Sequence, residues 1–162
     1  MFVIWNESKV PLAVSDSSGR IIPGIDNKAS IREFTIISTA GSKLQLQRQD
    51  GGNWTIVTPP SQLASRAAVD FWLNLFTKPP ARKVFTADRR RLLEYGLAPP
   101  TGSAEIVTDT RRHNLTIGSL DTTQTGVYAI VDTPTDSETI IIRLLPVEFY
   151  HVIRRPRSQW TN

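Results

Sequence analysis

The chain has 162 residues, 40% of them hydrophobic and 21% charged, which is apolar material for one domain with its own core and excludes a disordered segment as the default. Cysteine is absent, so disulfides, thiolate metal sites and a cysteine nucleophile are ruled out. The net charge of +4 favours an anionic neighbour, whether a membrane surface, nucleic acid or an acidic protein, without choosing among them.

No apolar run is long enough to cross a bilayer, and the start "MFVIWNESK" offers too few apolar residues for the core of a signal peptide. Two readings of that start stay open: the native beginning of a soluble protein, or what remains after an anchor has been removed. Residues 1–32 are rich in Ser, Gly, Pro and Asp and read as an extended lead-in, with a short strand over 11–14.

From residue 33 the pattern sharpens. "EFTIIS" and "KLQLQRQ" form a hairpin around Gly41, Leu44 and Leu46 alternating with Gln45 and Gln47 as a strand with one wet face requires. Asp50-Gly51-Gly52 makes the next turn, after which Trp54 and Ile56 point to one side. Pro59 and Pro60 end the sheet because neither donates a ladder hydrogen bond. Ser61 then predicts the N-cap of a helix over 62–76, with Ala64, Ala67, Ala68, Phe71, Trp72 and Leu75 inward. Arg66 and Asp70 are spaced to pair across one turn. Leu73 falls on the polar side of this wheel, a candidate partner patch.

A short strand over 83–85 follows, and Asp88 caps a second helix, "RRRLLEYG". Gly96 sits where a left-handed C′ residue belongs, Leu97 is its apolar follower, and Pro99 forbids continuation, so residues 96–102 read as a rigid joint rather than a mobile lid. The earlier pattern then returns: "SAEIVTD" parallels "EFTIIST", "RRHNLTIG" parallels "KLQLQRQ", and "GVYAIVD" parallels "NWTIVTP". Ile36 corresponds to Ile106, Leu44 to Leu115 and Leu46 to Ile117. "SETIIIRLLPVEFYHVI" adds a strand and a closing helix with Pro146 in its first turn. The expected architecture is α+β: two tandem antiparallel β-meander-plus-helix units, 33–96 and 103–153, packed as one domain, with a basic tail over 154–162.

"GGNWTIVTPP", the alanine-rich helix, "LLEYGLAPP", "LTIG" and "GVYAIV", in this order, resemble the bacterial domain of unknown function 4340 over residues 33–153. The resemblance implies a domain of proteins encoded beside gliding-motility-type ABC transporters, held by one N-terminal membrane span and facing the periplasm or an equivalent extracytoplasmic side. It carries no catalytic residue onto this chain. The alternative localisation is a soluble cytoplasmic one.

The chemistry-bearing residues support no enzyme. His113 and His151 read as solvated single histidines beside arginines. Glu94, Glu105, Asp109, Asp132, Asp136 and Glu138 are scattered at element ends, without the spacing of paired catalytic carboxylates. Nucleophile-elbow and phosphate-loop motifs are absent, so no catalytic, cofactor or metal site is assigned. Trp54 and Tyr128 both read as core aromatics. The arginines remain. Arg89 and Arg90, Arg111 and Arg112, and Arg154, Arg155 and Arg157 are the candidate contacts for an anionic partner, the last three with Trp160 suiting a lipid headgroup layer. Nucleic acid is disfavoured, because stacking aromatics do not interleave the basic residues. The expected function is a non-catalytic interaction or scaffold module of a membrane-associated bacterial assembly, with a protein partner such as an ABC transporter. The alternative is a small-anion or ligand-binding domain using a cleft between the two units, with Arg111 and Arg112 as donors.

Overall fold

In the computed structural model of the chain, the described residues are 21–22, 24–25, 27–39, 41–77, 81–132 and 137–162. The start of the chain, the expected strand over 11–14 and Asp136 lie outside them. The strands are β1 (Ile31–Ser38), β2 (Lys43–Arg48), β3 (Trp54–Ile56), β4 (Gln62–Leu63), β5 (Lys83–Asp88), β6 (Gly102–Thr108), β7 (Arg112–Leu120), β8 (Gly126–Val131) and β9 (Thr139–Pro146). Among the described residues, α1 (Arg66–Thr77), α2 (Glu148–Ile153) and 3-10 segments at Lys28–Ser30, Arg89–Tyr95 and Arg157–Trp160 accompany the strands, an α+β arrangement.

All nine strands join one antiparallel sheet in the order β4-β3-β2-β1-β6-β7-β8-β9-β5. Alternation fixes the first hairpin: Leu46 lies opposite Phe34 and Leu44 opposite Ile36, with the glutamines on the other face. The turn into β3 uses Gly51 and Gly52, both at φ 89°, a region closed to most side chains. At the centre β1 pairs with β6, Thr35 opposite Glu105, so the two halves of the sheet are hydrogen-bonded neighbours with no gap between them. Leu115 lies opposite Ala104, as Leu46 does opposite Phe34.

One face of the sheet carries the main core. Phe34 of β1 stands at its centre, its ring centroid 5.2 Å from Trp54, 5.9 Å from Trp72 and 5.6 Å from Trp160. Trp72, Phe76 and Phe149 extend this cluster through edge-on contacts of 4.8–5.8 Å, the geometry that ring quadrupoles favour. Ile21, Ile22 and Ile25 are fully buried in the same core, so the end of the expected lead-in is part of the fold.

On the opposite face the 89–97 segment covers a smaller cluster, placing Leu92, Tyr95 and Leu97 against Ala87, Ile130, Ile140 and Ile142. Asp88 caps that segment through Arg90 N at 2.8 Å, and Gly96, at φ 68°, donates back to the Leu92 and Leu93 carbonyls. The segment is a 3-10 helix rather than the α-helix its sequence suggests. Its stop lies directly on β7: a Cβ at Gly118 would meet the Tyr95 carbonyl oxygen at 2.3 Å. The end of the segment is therefore seated directly on β7. Over β1, β2, β6 and β7 this second face stays wet, with Gln47 donating to Glu33 at 2.8 Å and Arg112 paired with Glu105 at 2.6 Å.

Several expectations are corrected. Helix α1 begins at Arg66 rather than 62, because residues 62–63 extend the sheet and Ser65, not Ser61, caps it through Ala68 N. The inward face also differs by one position from the expected one. Val69, Trp72, Leu73, Leu75 and Phe76 face inward, while Phe71 is 45% exposed. Leu73, only 2% exposed, is core and offers no partner patch. Asp70 lies 4.0 Å from Lys28, the pair the structure gives it in place of Arg66. Strand β5 runs to Asp88 instead of ending at 85. Residues 154–162 are no free tail: Trp160 is fully buried, Ser65 N donates to its carbonyl at 2.7 Å, and Thr161 bridges to Ala64 beside β4.

Candidate anion-binding groove

The β1–β2 hairpin, the chain leaving β3 and the chain leaving α2 converge at one end of the sheet. They enclose an open hollow of about 420 Å³. Ser38, Ser42 and Lys43 come from the hairpin, Thr58 and Pro59 from the second wall, and Ile153 to Arg157 from the third. Ile36, Leu44, Ile153 and Pro156 give it an apolar floor.

Its charge is one-sided. Lys43, Arg154, Arg155 and Arg157 line it, no carboxylate does, and none of these four cations forms an ion pair among the described residues. The arginines are held by neutral acceptors. Arg154 donates to the Tyr150 hydroxyl at 3.3 Å and stacks over that ring at 5.1 Å. Arg155 lies 4.7 Å from the centroid of Trp160 and 5.7 Å from that of Phe71, and donates to the Ala68 carbonyl at 3.4 Å. Burial without a carboxylate partner pushes the Arg155 guanidinium below its ordinary pKa. Arg157 donates to the Thr58 carbonyl at 3.0 Å, to the Pro60 carbonyl, and to Gln62 Oε1 at 3.2 Å. These contacts orient the guanidinium groups and fix the chain. They leave the positive charge uncompensated.

The structure thus unites three of the sequence-derived arginines and separates the rest. Strand direction puts Arg89, Arg90, Arg111 and Arg112 at the other end of the sheet. Arg89 Nε donates to the Ser137 carbonyl at 2.6 Å. Arg90 pairs with Asp88 at 3.0 Å and holds that carboxyl down at about 2. Arg112 is committed to Glu105, and Arg111 is exposed at the hairpin tip. Because β1 and β6 are joined directly, Arg111 and Arg112 border no cleft between the sheet's halves, contrary to the alternative drawn from the sequence. Lys43 was not singled out from the sequence. Paired with Ile37 and alternating with Leu44, its side chain shares the face of Gln45 and Gln47, and it borders the hollow at the hairpin's edge.

His113 also departs from expectation. It is 2% exposed, and its Nδ1 lies 2.8 Å from Asp132 Oδ2, while Asp132 Oδ1 accepts from Asn114 N at 2.7 Å. The pair ties β7 to the end of β8. His151 is exposed, as expected for a solvated histidine. Among the described residues no three potential metal ligands cluster.

Trp54 is core, though its edge borders a hollow of about 320 Å³ with Lys28, Arg48 and Asp70, where Arg48 covers the ring at 5.3 Å. Tyr128 stands on the opposite face, half-buried with Phe85 and Tyr95 around a hollow of about 450 Å³, so the two aromatics are not equivalent core residues. No described helix is long and apolar enough to cross a membrane. No known protein family, curated protein or solved structure matches the chain at a significant level.

Proposed function

We propose that the protein is a non-catalytic interaction module of a membrane-associated bacterial assembly, an accessory to a larger machine such as an ABC transporter, and that the basic groove is its contact with an anionic partner. The observation that carries this reading is the groove itself: Arg154, Arg155 and Arg157 border it, and no carboxylate is among its lining residues. Self-repulsion of such a cluster costs stability and is relieved when an anion arrives. The titratable groups elsewhere that resemble catalytic machinery, His113 with Asp132 and Arg91 with Glu94, are consumed in ties within the fold. The resemblance of residues 33–153 to domains encoded beside gliding-motility-type transporters supports the membrane setting.

The same reading treats the sheet's two halves as related copies. An offset of 70 residues between Ile36 and Ile106 makes Thr35 and Glu105 equivalent (35 + 70 = 105), and these two lie opposite each other in the β1–β6 ladder, as a local two-fold axis requires. Matching positions in β2 and β7 are then Leu46 and Leu115, rather than Leu44 and Leu115.

The test is sedimentation with native bacterial membranes, comparing the wild-type protein with the variant Arg154→Glu. Its side chain is exposed, and circular dichroism checks that the variant keeps the fold. The wild-type protein is expected to pellet with the membranes and the variant to stay in the supernatant. Equal partition of the two would refute the groove as the contact, and no pelleting of either would refute the membrane setting.

A further inference from the structure

Independently of the groove, we propose that the outer edge of β5 is a dimerisation surface, on which a second copy of this chain adds its own β5 in antiparallel register about Phe85. The sheet ends on two unlike strands. β4 is two residues long, and the Ala64–Thr161 bridge follows it at once. β5 keeps unbroken register with β9 over six residues and meets no other strand among those described. Its middle, Val84 to Ala87, carries no charge and no proline, so it lacks the usual guards against edge pairing.

The phase of the ladder decides which groups a partner meets. Arg89 N donates at 2.8 Å to the carbonyl of Glu138, its opposite in the continued β5–β9 register. Antiparallel bonding alternates, so Phe85 and Ala87 also direct their backbone groups to β9. Val147 N, donating to the Thr125 carbonyl at 3.2 Å, gives the same phase from the other side of β9. Val84 and Thr86 therefore direct their N–H and C=O groups outward, where no described residue bonds them.

An antiparallel partner must set outward-pointing residues opposite each other. With Phe85 opposite Phe85 of the second copy, Val84 faces Thr86 and Thr86 faces Val84, so each outward N–H and C=O finds a partner. Phe85 then lies on the two-fold axis in a non-hydrogen-bonded pair, where side chains come closest and aromatic pairs favour the ladder. The flanking pairs join β-branched residues, which suit a pleated surface. The strand is thus its own complement, as a two-fold interface between identical chains requires. Continuing the register brings Arg82 opposite Asp88 of the second copy, whereas a parallel arrangement would bring the two Lys83 ammonium groups together. Arg82 already donates to Thr125 and Asp88 is paired with Arg90, so the opposite charges set orientation without adding a new bond. One strand pair covers less surface than a permanent dimer needs, which makes this dimer a reversible one. Because β6, β7, β8 and β9 separate β1 from β5, pairing leaves the groove untouched.

Sedimentation equilibrium of the full chain from ~10 µM to ~1 mM measures association, and hydrogen exchange at both ends of that range locates it. The wild-type mass is expected to rise toward that of a dimer, with the Val84 and Thr86 amides exchanging more slowly at high concentration. Thr86→Pro removes an outward N–H that no bond to β9 uses, and Thr86→Lys puts a charge at an exposed position. Each should raise the dissociation constant at least tenfold, and Thr86→Lys decides the matter if proline disturbs the strand. Arg154→Glu, in the groove, should dimerise as the wild type does. A chain that stays monomeric throughout the range, or whose mass climbs past a dimer, overturns the proposal. So does a dimer that Thr86→Lys leaves intact, one that Arg154→Glu abolishes, or one whose Val84 and Thr86 amides exchange alike at both concentrations. Membrane pelleting is read separately, so its failure falls on the groove alone.

Discussion

Replacing Gly118 by alanine tests the joint between the 89–97 segment and β7. A Cβ there would lie 2.3 Å from the Tyr95 carbonyl oxygen and 2.9 Å from Leu97 Cγ. The carbonyl is backbone, so it yields only if residues 95–97 lift by about 0.7 Å, the difference between 2.3 Å and the 3.0 Å that real Cβ atoms keep. Overpacking of this kind costs ~1–3 kcal/mol. Lifting the segment also loosens Leu97 from its cluster, and a fully buried side chain of that size is worth ~1.5–3 kcal/mol. The expected loss is about 3 kcal/mol, or roughly 6–12 °C in melting temperature for a chain of this length. Gly51→Ala is the control. Gly51 has a positive φ and nothing within 4 Å of its missing Cβ, so only backbone strain of ~1–2 kcal/mol applies. Urea denaturation of both variants decides the matter. A Gly118→Ala protein no less stable than Gly51→Ala would refute the close approach of residues 95–97 to β7.

Other substitutions probe the rest of the fold. Leu73→Ala is expected to cost ~2–5 kcal/mol and Phe71→Ala less than 1, the reverse of what the helical wheel of the sequence implies; chemical denaturation measures both. Trp160→Ala removes a ring from the centre of the aromatic cluster and should cost ~3–5 kcal/mol, with intrinsic fluorescence reporting the loosened core. His113→Ala leaves Asp132 without its side-chain partner and should cost ~1–3 kcal/mol by the same assay. The Asp88 carboxyl, held down from 3.8 to about 2 by Arg90, binds its proton less readily folded than unfolded. Its contribution is therefore present above pH 4 and lost as pH falls toward 2. Asp88→Asn should flatten the pH dependence of the urea midpoint in that window, and an unchanged slope would refute the assignment.

The elements most legible in the sequence are those decided by local chemistry. The Gly51-Gly52 turn, the alternation of Leu44 and Leu46, the Asp88 cap and the Gly96 stop each depend on residues a few positions apart, and the structure holds all of them. What the sequence hides depends on long-range partners. Leu73 is buried because α1 is flanked by both α2 and the 28–30 turn, giving it a wider apolar arc than one sheet would demand. His113 is buried because the register of β7 and β8 brings Asp132 to it from 19 residues away. Of the candidate site, Arg154, Arg155 and Arg157 were readable as a cationic run. Ser38 and Ser42 were not, since their place beside that run requires the C-terminal chain to cross back to the first hairpin.

The β1–β6 ladder sets a hazard during synthesis. Its paired residues, such as Thr35 and Glu105, are separated by 70 positions (105 − 35 = 70), so the middle of the sheet closes late and folding is expected to be slow. Until β6 leaves the ribosome, β1 is a long, unpaired margin rich in isoleucine, free to pair with the same strand of a neighbouring nascent chain.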